Sequence, residues 1–242
     1  MDYRRLYEYR FRDVAQSRRD DVWAAVAPML YERLKRPERV LDPAAGRCEF
    51  INAVPSAERW AVDAVAYDEG VAQEGTRLIV SEIMKADLPR EYFGGVFVSN
   101  FLEHLPSQEA VADFLERMHD CMSPGGRIAI MGPNFRFCAR EYFDYADHTV
   151  TLTERGVEEH LYAAGFEIVA VYPRFLPYTF SGRLPSHPAL VRAYLRLPVA
   201  WRILGKQFLV IAERTADAIA LGTPTHLAES QAASVGIADS RG

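Results

Sequence analysis

Two histidines stand where acid–base chemistry is open to them. His148 closes the run Asp144-Tyr145-Ala146-Asp147-His148. An imidazole titrates near neutral pH, and a neighbouring carboxylate orients it and favours its charged form. His148 therefore reads as a general base, with Asp147 or Asp144 orienting it. His104 follows Phe101-Leu102-Glu103 and reads as a contact to a ligand or substrate. Each histidine could instead cap a backbone group. Asp144, Asp147 and His148 would together make only a weak metal site. Their spacing does not demand an ion, and none is expected.

A second set of acids is spaced along the first half of the chain. Asp42 follows Val40-Leu41 and precedes the small residues Ala44, Ala45 and Gly46, after which Glu49 and Phe50 open an apolar run. Strand, tight turn and helix start is the arrangement that brings a ligand to the carboxyl end of a sheet. The dinucleotide fingerprint G-x-G-x-x-G is absent from it. Asp63, with Ala64 beside it, closes a second strand about twenty residues on, where a carboxylate meets ribose hydroxyls in nucleotide-binding α/β folds. Ser81-Glu82-Ile83 follows a third apolar run.

The elements that must position these residues alternate along the chain. Strands are expected at 40–41, 59–63, 78–80, 95–100, 127–131, 166–171 and 206–212. Helices are expected from Asp20 to the Pro37 stop, over 50–54, over 108–122 and from a Thr151 or Thr153 cap to Ala164. A short one is expected between Asp63 and Leu78. Residues 1–21 are crowded with tyrosine and arginine. They read either as a solvated lead-in or as a flap whose arginines or tyrosines meet an anion. Residues 1–36 form this flap and a helix, 37–214 the main domain, and 215–242 a disordered tail. Residues 173–205 are an insertion in which arginines alternate with apolar residues. It reads as a lid, a dimer contact, a peripheral membrane patch or an ordinary packed helix pair.

Three ordered blocks carry a family likeness. RVLDPAAGRCEFI, FGGVFVSNFLEHLP and MSPGGRIAI together resemble class I S-adenosylmethionine (SAM) methyltransferases. The resemblance implies an α/β, Rossmann-like, seven-stranded sheet, mostly parallel with an antiparallel last strand and helices on both faces. It also implies SAM as cofactor. Asp42, Ala44, Gly46, Glu49 and Phe50 would line the cofactor from the first loop, and Asp63 and Ala64 from the second strand. Ser81, Glu82 and Ile83 would meet the adenine, and Asn100, Phe101 and Leu102 would complete the site. Ala44 and Cys48 stand where glycines are usual, and Gly94 where an aspartate is. Cys48 matters only if its position requires φ > 0. Segments around RFRD, DYADH–TLT and the insertion resemble a bacterial subgroup associated with glycan and glycolipid assembly.

Composition sets the outer bounds. The chain has 242 residues, is 49% hydrophobic and 25% charged, and carries a net charge of −5. That is an ordinary soluble composition for one domain, and its acidity argues against nucleic-acid binding. Cys48, Cys121 and Cys138 show no metal-like spacing, consistent with a cytoplasmic protein. The expected activity is methyl transfer to a small polar acceptor or glycoconjugate, with a sugar hydroxyl first. Nitrogen, carboxylate or quinone acceptors, or an inactive SAM-binding scaffold, are the alternatives. The protein is expected as a monomer or homodimer. Arg136, Arg140, Arg174 and Arg183 are expected near an anionic group of the acceptor.

Overall fold

The computed structural model describes residues 2–178 and 187–215. The expectations for Arg183 and for a tail beyond Thr215 lie outside the described residues. Helices α1 (Tyr3–Phe11) and α2 (Gln16–Arg33) lead into β1 (Arg39–Asp42), α3 (Glu49–Ala53), β2 (Glu58–Asp63), β3 (Thr76–Val80) and β4 (Phe93–Ser99). A 3-10 turn at Leu102–His104 precedes α4 (Gln108–Cys121), β5 (Met122–Pro133) and α5 (Phe135–Cys138). A second 3-10 turn, Tyr142–Asp144, leads to α6 (Glu154–Ala163), β6 (Phe166–Tyr172), α7 (Pro188–Leu195), α8 (Pro198–Leu204) and β7 (Gln207–Arg214).

The seven strands form one sheet in the order β3-β2-β1-β4-β5-β7-β6. Strands β1 to β5 run parallel, and β7 is antiparallel to both β5 and β6. The chain reverses its direction of travel across the sheet between β1 and β4. At such a switch point the loops that leave adjacent strands diverge and open a crevice. Here those loops carry Asp42 and Asn100. Each face of the sheet has its own apolar core, one built with α4 and α6, the other with α2 and α3. Gly95 lets β4 slide under Pro37, because a Cβ there would lie 2.5 Å from the proline Cγ. Among the described residues no helix is long and apolar enough to cross a membrane.

One local expectation fails, and one element is unforeseen. Residues 64–75 form turns instead of a short helix. Gly70 and Gly75 take φ +87 and +80, and Asn52 ties down the carbonyl of Val71 and the amide of Gln73. Left-handed glycines break a helix at both places. Residues 3–11 form a full helix, α1, which apolar periodicity did not announce because it buries none of its residues. Asp2 caps it at the Arg5 amide, and Arg4 pairs with Glu8 and with Asp68 across the crevice.

Candidate active site

The β1–α3 loop is held by its own hydrogen bonds. The amide of Ala44 donates to Asp42, that of Ala45 to the Val62 carbonyl, that of Gly46 to Asp63, and that of Cys48 to the Ala45 carbonyl. These amides are therefore spent inside the loop, and a ligand meets its carboxylates and its surface instead. Gly46 takes φ +52 with nothing within 4 Å of the position a Cβ would fill. Cys48 takes φ +62, so its position does demand the left-handed conformation. The loop keeps the glycine-type backbone and bears the strain of an L-residue there, on the order of 1–2 kcal/mol. Burial pushes the Cys48 thiol up to about 12, so it packs rather than reacts.

Asp42 and Asp63 stand at the carboxyl ends of neighbouring strands. Asp63 accepts from Gly46 at 2.7 Å with one oxygen and from Val65 at 2.8 Å with the other. One acceptor direction on each oxygen is left for a diol. Asp42 is buried and, among the described residues, accepts only from the Ala44 amide, at 3.3 Å. Burial raises the carboxyls of both, and that of Asp42 well above its ordinary value. A ligand's cation placed there would draw them back down. Glu49 is already paired with Arg19 at 2.6 Å and with Gln16 at 3.1 Å, both from α2. A cleft of about 240 Å³ lies between α1 and this loop, lined in part by Tyr7, Arg12, Arg19 and Arg47.

The remaining residues expected at the cofactor divide into those at the mouth and those in the core. Ala44, Gly46, Asp63, Ser81, Asn100 and Phe101 are half-buried at the crevice edge, and Ala64 and Glu82 are exposed there. Glu82 pairs with Lys85 at 2.8 Å. Three side chains are corrected. Phe50 points into the core between Trp23 and Phe97, at centroid distances of 6.0 and 4.3 Å. Leu102 and Ile83 belong to the core on the other face. Helix α3 is one turn and a half long, so its apolar stripe must face the sheet, which takes Phe50 away from the loop.

The acid–base groups converge at the other side of the crevice. His104 Nδ1 lies 3.1 Å from the Asp147 carbonyl and 3.3 Å from its carboxylate. A carbonyl only accepts, so Nδ1 carries the proton and Nε2 presents a lone pair. That lone pair lies 4.0 Å from Glu103 Oε1. Asp147 is buried and takes a short bond from Arg10, which α1 brings over the site. Burial works to raise the Asp147 carboxyl, but the bond from Arg10 first, and then any positive charge gained by His104, outweigh it and hold it below its usual range. Burial raises Glu103, which is 2% exposed. His148 stacks on Tyr145 at 5.1 Å and stands edge-on to Tyr142 at 4.8 Å and His104 at 4.9 Å. Burial first, then any positive charge gained by His104, lower it to about 4, and its Nδ1 is buried with no hydrogen-bond partner among the described residues. One ligand atom each from Glu103, His104 and His148 lie within 4.8 Å of one another.

Asp144 is exposed and does not join this group; the acid present is Asp147, whose main-chain carbonyl accepts from His104 and whose carboxylate accepts from Arg10. The arginines expected to face an acceptor are mostly occupied elsewhere. Arg136 pairs with Glu154, and Arg174 donates to the carbonyls of Gly205 and Ile203. Arg140 is exposed. Arg10, Arg19 and Glu103 were not singled out by residue type or spacing. Their one signal is position: Arg10 and Arg19 in the arginine-rich start, Glu103 immediately before His104.

A seven-stranded sheet of this order, with acids closing β1 and β2, defines a nucleotide-type crevice with an acid–base cluster opposite. A family model described as a methyltransferase domain matches residues 14–171. The chain belongs to this methyltransferase family, and SAM fits as its cofactor. No curated protein matches the chain in sequence. Its fold is similar to a SAM-dependent methyltransferase from Archaeoglobus fulgidus, with a TM-score of 0.60 at 20% identity, covering 88% of this chain and 100% of the other. It is similar also to 1,6-didemethyltoxoflavin-N1-methyltransferase of Burkholderia thailandensis, solved with that substrate and S-adenosylhomocysteine. That match has a TM-score of 0.54 at 22% identity and covers 88% and 89% of the two chains. The N-methyltransferase NodS of Bradyrhizobium japonicum aligns with a TM-score of 0.51 at 13% identity, over 77% of this chain and 95% of the other.

Proposed function

We propose that this chain moves the SAM methyl group to a hydroxyl of a small polar acceptor, a sugar or a glycoconjugate. The carrying observation is the contact of His104 with Asp147, which holds the Nδ1 proton and leaves Nε2 its lone pair, 4.0 Å from Glu103 Oε1. A hydroxyl must lose its proton as it attacks, and a neutral imidazole held by the Asp147 carbonyl, with that residue's carboxylate beside it, receives it. This reading makes His104 the base and His148 a neutral wall of the acceptor pocket, because a group lowered to about 4 is a weak proton acceptor. Asp147 orients His104 and stabilises the imidazolium that forms.

SAM supplies the activated methyl group and the leaving group. Asp63 would accept from its ribose hydroxyls, and Asp42 would face its ammonium. Arg19 or Arg47, in the cleft under α1, would meet its carboxylate. Glu82 and Ser81 stand at the mouth for the adenine. Helix α1 closes over the crevice through Arg10 and excludes water from the transfer. Two of the similar structures are of N-methyltransferases. A nitrogen acceptor is therefore the principal alternative outcome of the test.

The test pairs acceptor screening with His104→Gln and Asp147→Asn. The reading predicts a methylated hydroxyl, with kcat lowered about 10²–10⁴-fold in His104→Gln. A methylated nitrogen with kcat unchanged in both variants overturns it.

One observation favours a second reading of the same cluster. Glu103, His104 and His148 present a carboxylate and two imidazoles to one point, a donor set suited to a first-row divalent ion. Such an ion would acidify the acceptor hydroxyl directly, and His104 Nδ1–H on Asp147 would be its outer shell. Stoichiometric metal after purification, with activity lost to a chelator and restored by zinc or manganese, would favour this reading over the base.

A further inference from the structure

Residues 168–212 contain five arginines, one lysine and no aspartate or glutamate, in a chain whose net charge is −5. The structure shows where part of that charge goes. Helices α7 and α8 form a hairpin whose inner face is anchored. Trp201 stands edge-on to Tyr172 at 5.5 Å and to Phe175 at 5.1 Å. Its indole N–H donates to the Tyr194 carbonyl at 2.9 Å, and the Tyr194 hydroxyl donates to the Phe175 carbonyl. Val191 is buried, and α7 packs on α2.

The outer face is the reverse. Leu190, Leu197, Val199, Ile203 and Leu204 are five of the twelve large apolar side chains exposed among the described residues. Val199 and Ile203 are 70% and 68% exposed and lie one helical turn apart. Arg192, Arg196 and Arg202 are exposed among them and make no ion pair or side-chain hydrogen bond with a described residue. A braced hairpin thus presents exposed apolar side chains beside arginines unpaired among the described residues, with no acid between them.

We infer that the α7–α8 hairpin is a peripheral membrane contact, with Leu197, Val199 and Ile203 entering the interfacial layer of an anionic bilayer while Arg192, Arg196 and Arg202 meet lipid phosphates. Charge complementarity decides the occupant. A two-fold dimer through this face would set each copy's patch against its twin, with no acid of either hairpin to meet the arginines. An anionic lipid surface accepts both features at once. The inference does not rest on methyl transfer.

The experiment is co-sedimentation of the full chain with vesicles of phosphatidylcholine alone and of phosphatidylcholine with phosphatidylglycerol, alongside light scattering of the free protein. Binding is expected to the anionic vesicles, to fall with salt, and to be absent on the neutral ones. Each arginine contributes about a five-fold gain at such a surface. The triple variant Arg192→Gln, Arg196→Gln, Arg202→Gln is therefore expected to lose roughly a hundredfold. Val199→Glu with Ile203→Glu is expected to abolish binding while thermal unfolding and S-adenosylhomocysteine affinity stay as in the wild type. Equal sedimentation of the wild type and the charge-bearing variant overturns the inference, as does no sedimentation with anionic vesicles. A wild-type dimer that this variant makes monomeric, without vesicle binding, assigns the face to a second copy instead.

Discussion

Replacing Asp63 separates its two duties. Its carboxylate oxygens take the Gly46 amide at 2.7 Å and the Val65 amide at 2.8 Å, and their remaining lone pairs are assigned to the ribose hydroxyls. Asp63→Asn keeps the shape but turns one oxygen into an NH₂ that must face a backbone N–H. The donor left without an acceptor costs about 1–3 kcal/mol of stability. The ribose loses a charge-assisted acceptor, which contributes about 1.5–3 kcal/mol per bond. The second effect alone bears on binding and predicts S-adenosylhomocysteine affinity weakened roughly 10–100-fold, at 1.4 kcal/mol per tenfold. The assay is calorimetric titration of S-adenosylhomocysteine, with urea unfolding of the free protein beside it. Asp63→Asn that binds as tightly as the wild type would refute the ribose assignment, even if its stability falls as expected. An unchanged stability would refute the bracing of the loop.

Other expectations concern the remaining parts of the site. Arg10→Ala leaves Asp147 buried without its cation and is expected to cost about 3 kcal/mol at neutral pH. Asp147 is held below its usual range, so this penalty should shrink as pH falls through the folded-state value, which urea unfolding at several pH values will show. His148 is lowered from 6.5 to about 4, so the unfolded chain binds the extra proton across that window. Stability should therefore drop as pH falls from about 6.5 to about 4, and His148→Gln should flatten that slope. Cys48→Val adds a β-branched side chain at φ +62 and is expected to destabilise by about 2–4 kcal/mol. Cys48→Gly should remain within about 1 kcal/mol, because relief of strain offsets the lost packing.

Much of the frame was readable from the chain because strands buried on both faces are nearly continuous apolar runs. Phe97 and Ile128 are such residues, and the acids that close β1 and β2 fall where the alternation places them. Helix α1 was not readable, because its stability comes from ion pairs and ring contacts that leave no apolar period. Arg10, for example, lies 4.7 Å from the Tyr145 ring. The pairing of His104 with Asp147 was not readable either, since those residues are 43 apart and meet only when the β5–α6 loop folds back on the turn after β4. Adjacency in sequence pointed to Asp147 and His148, whereas the fold gives Asp147 to His104. The left-handed backbone of Cys48 could be stated as a condition from the sequence but required the structure to establish.

The most direct test is product analysis. The wild-type chain and His104→Gln would be incubated with methyl-labelled SAM and a panel of free and lipid-linked sugars, amines and carboxylic acids, with products located by mass spectrometry. The account predicts one methyl group added to a hydroxyl oxygen by the wild type and a rate reduced at least a hundredfold in His104→Gln, with cofactor binding intact. A methyl group on nitrogen or carboxylate, formed equally well by both proteins, would contradict it.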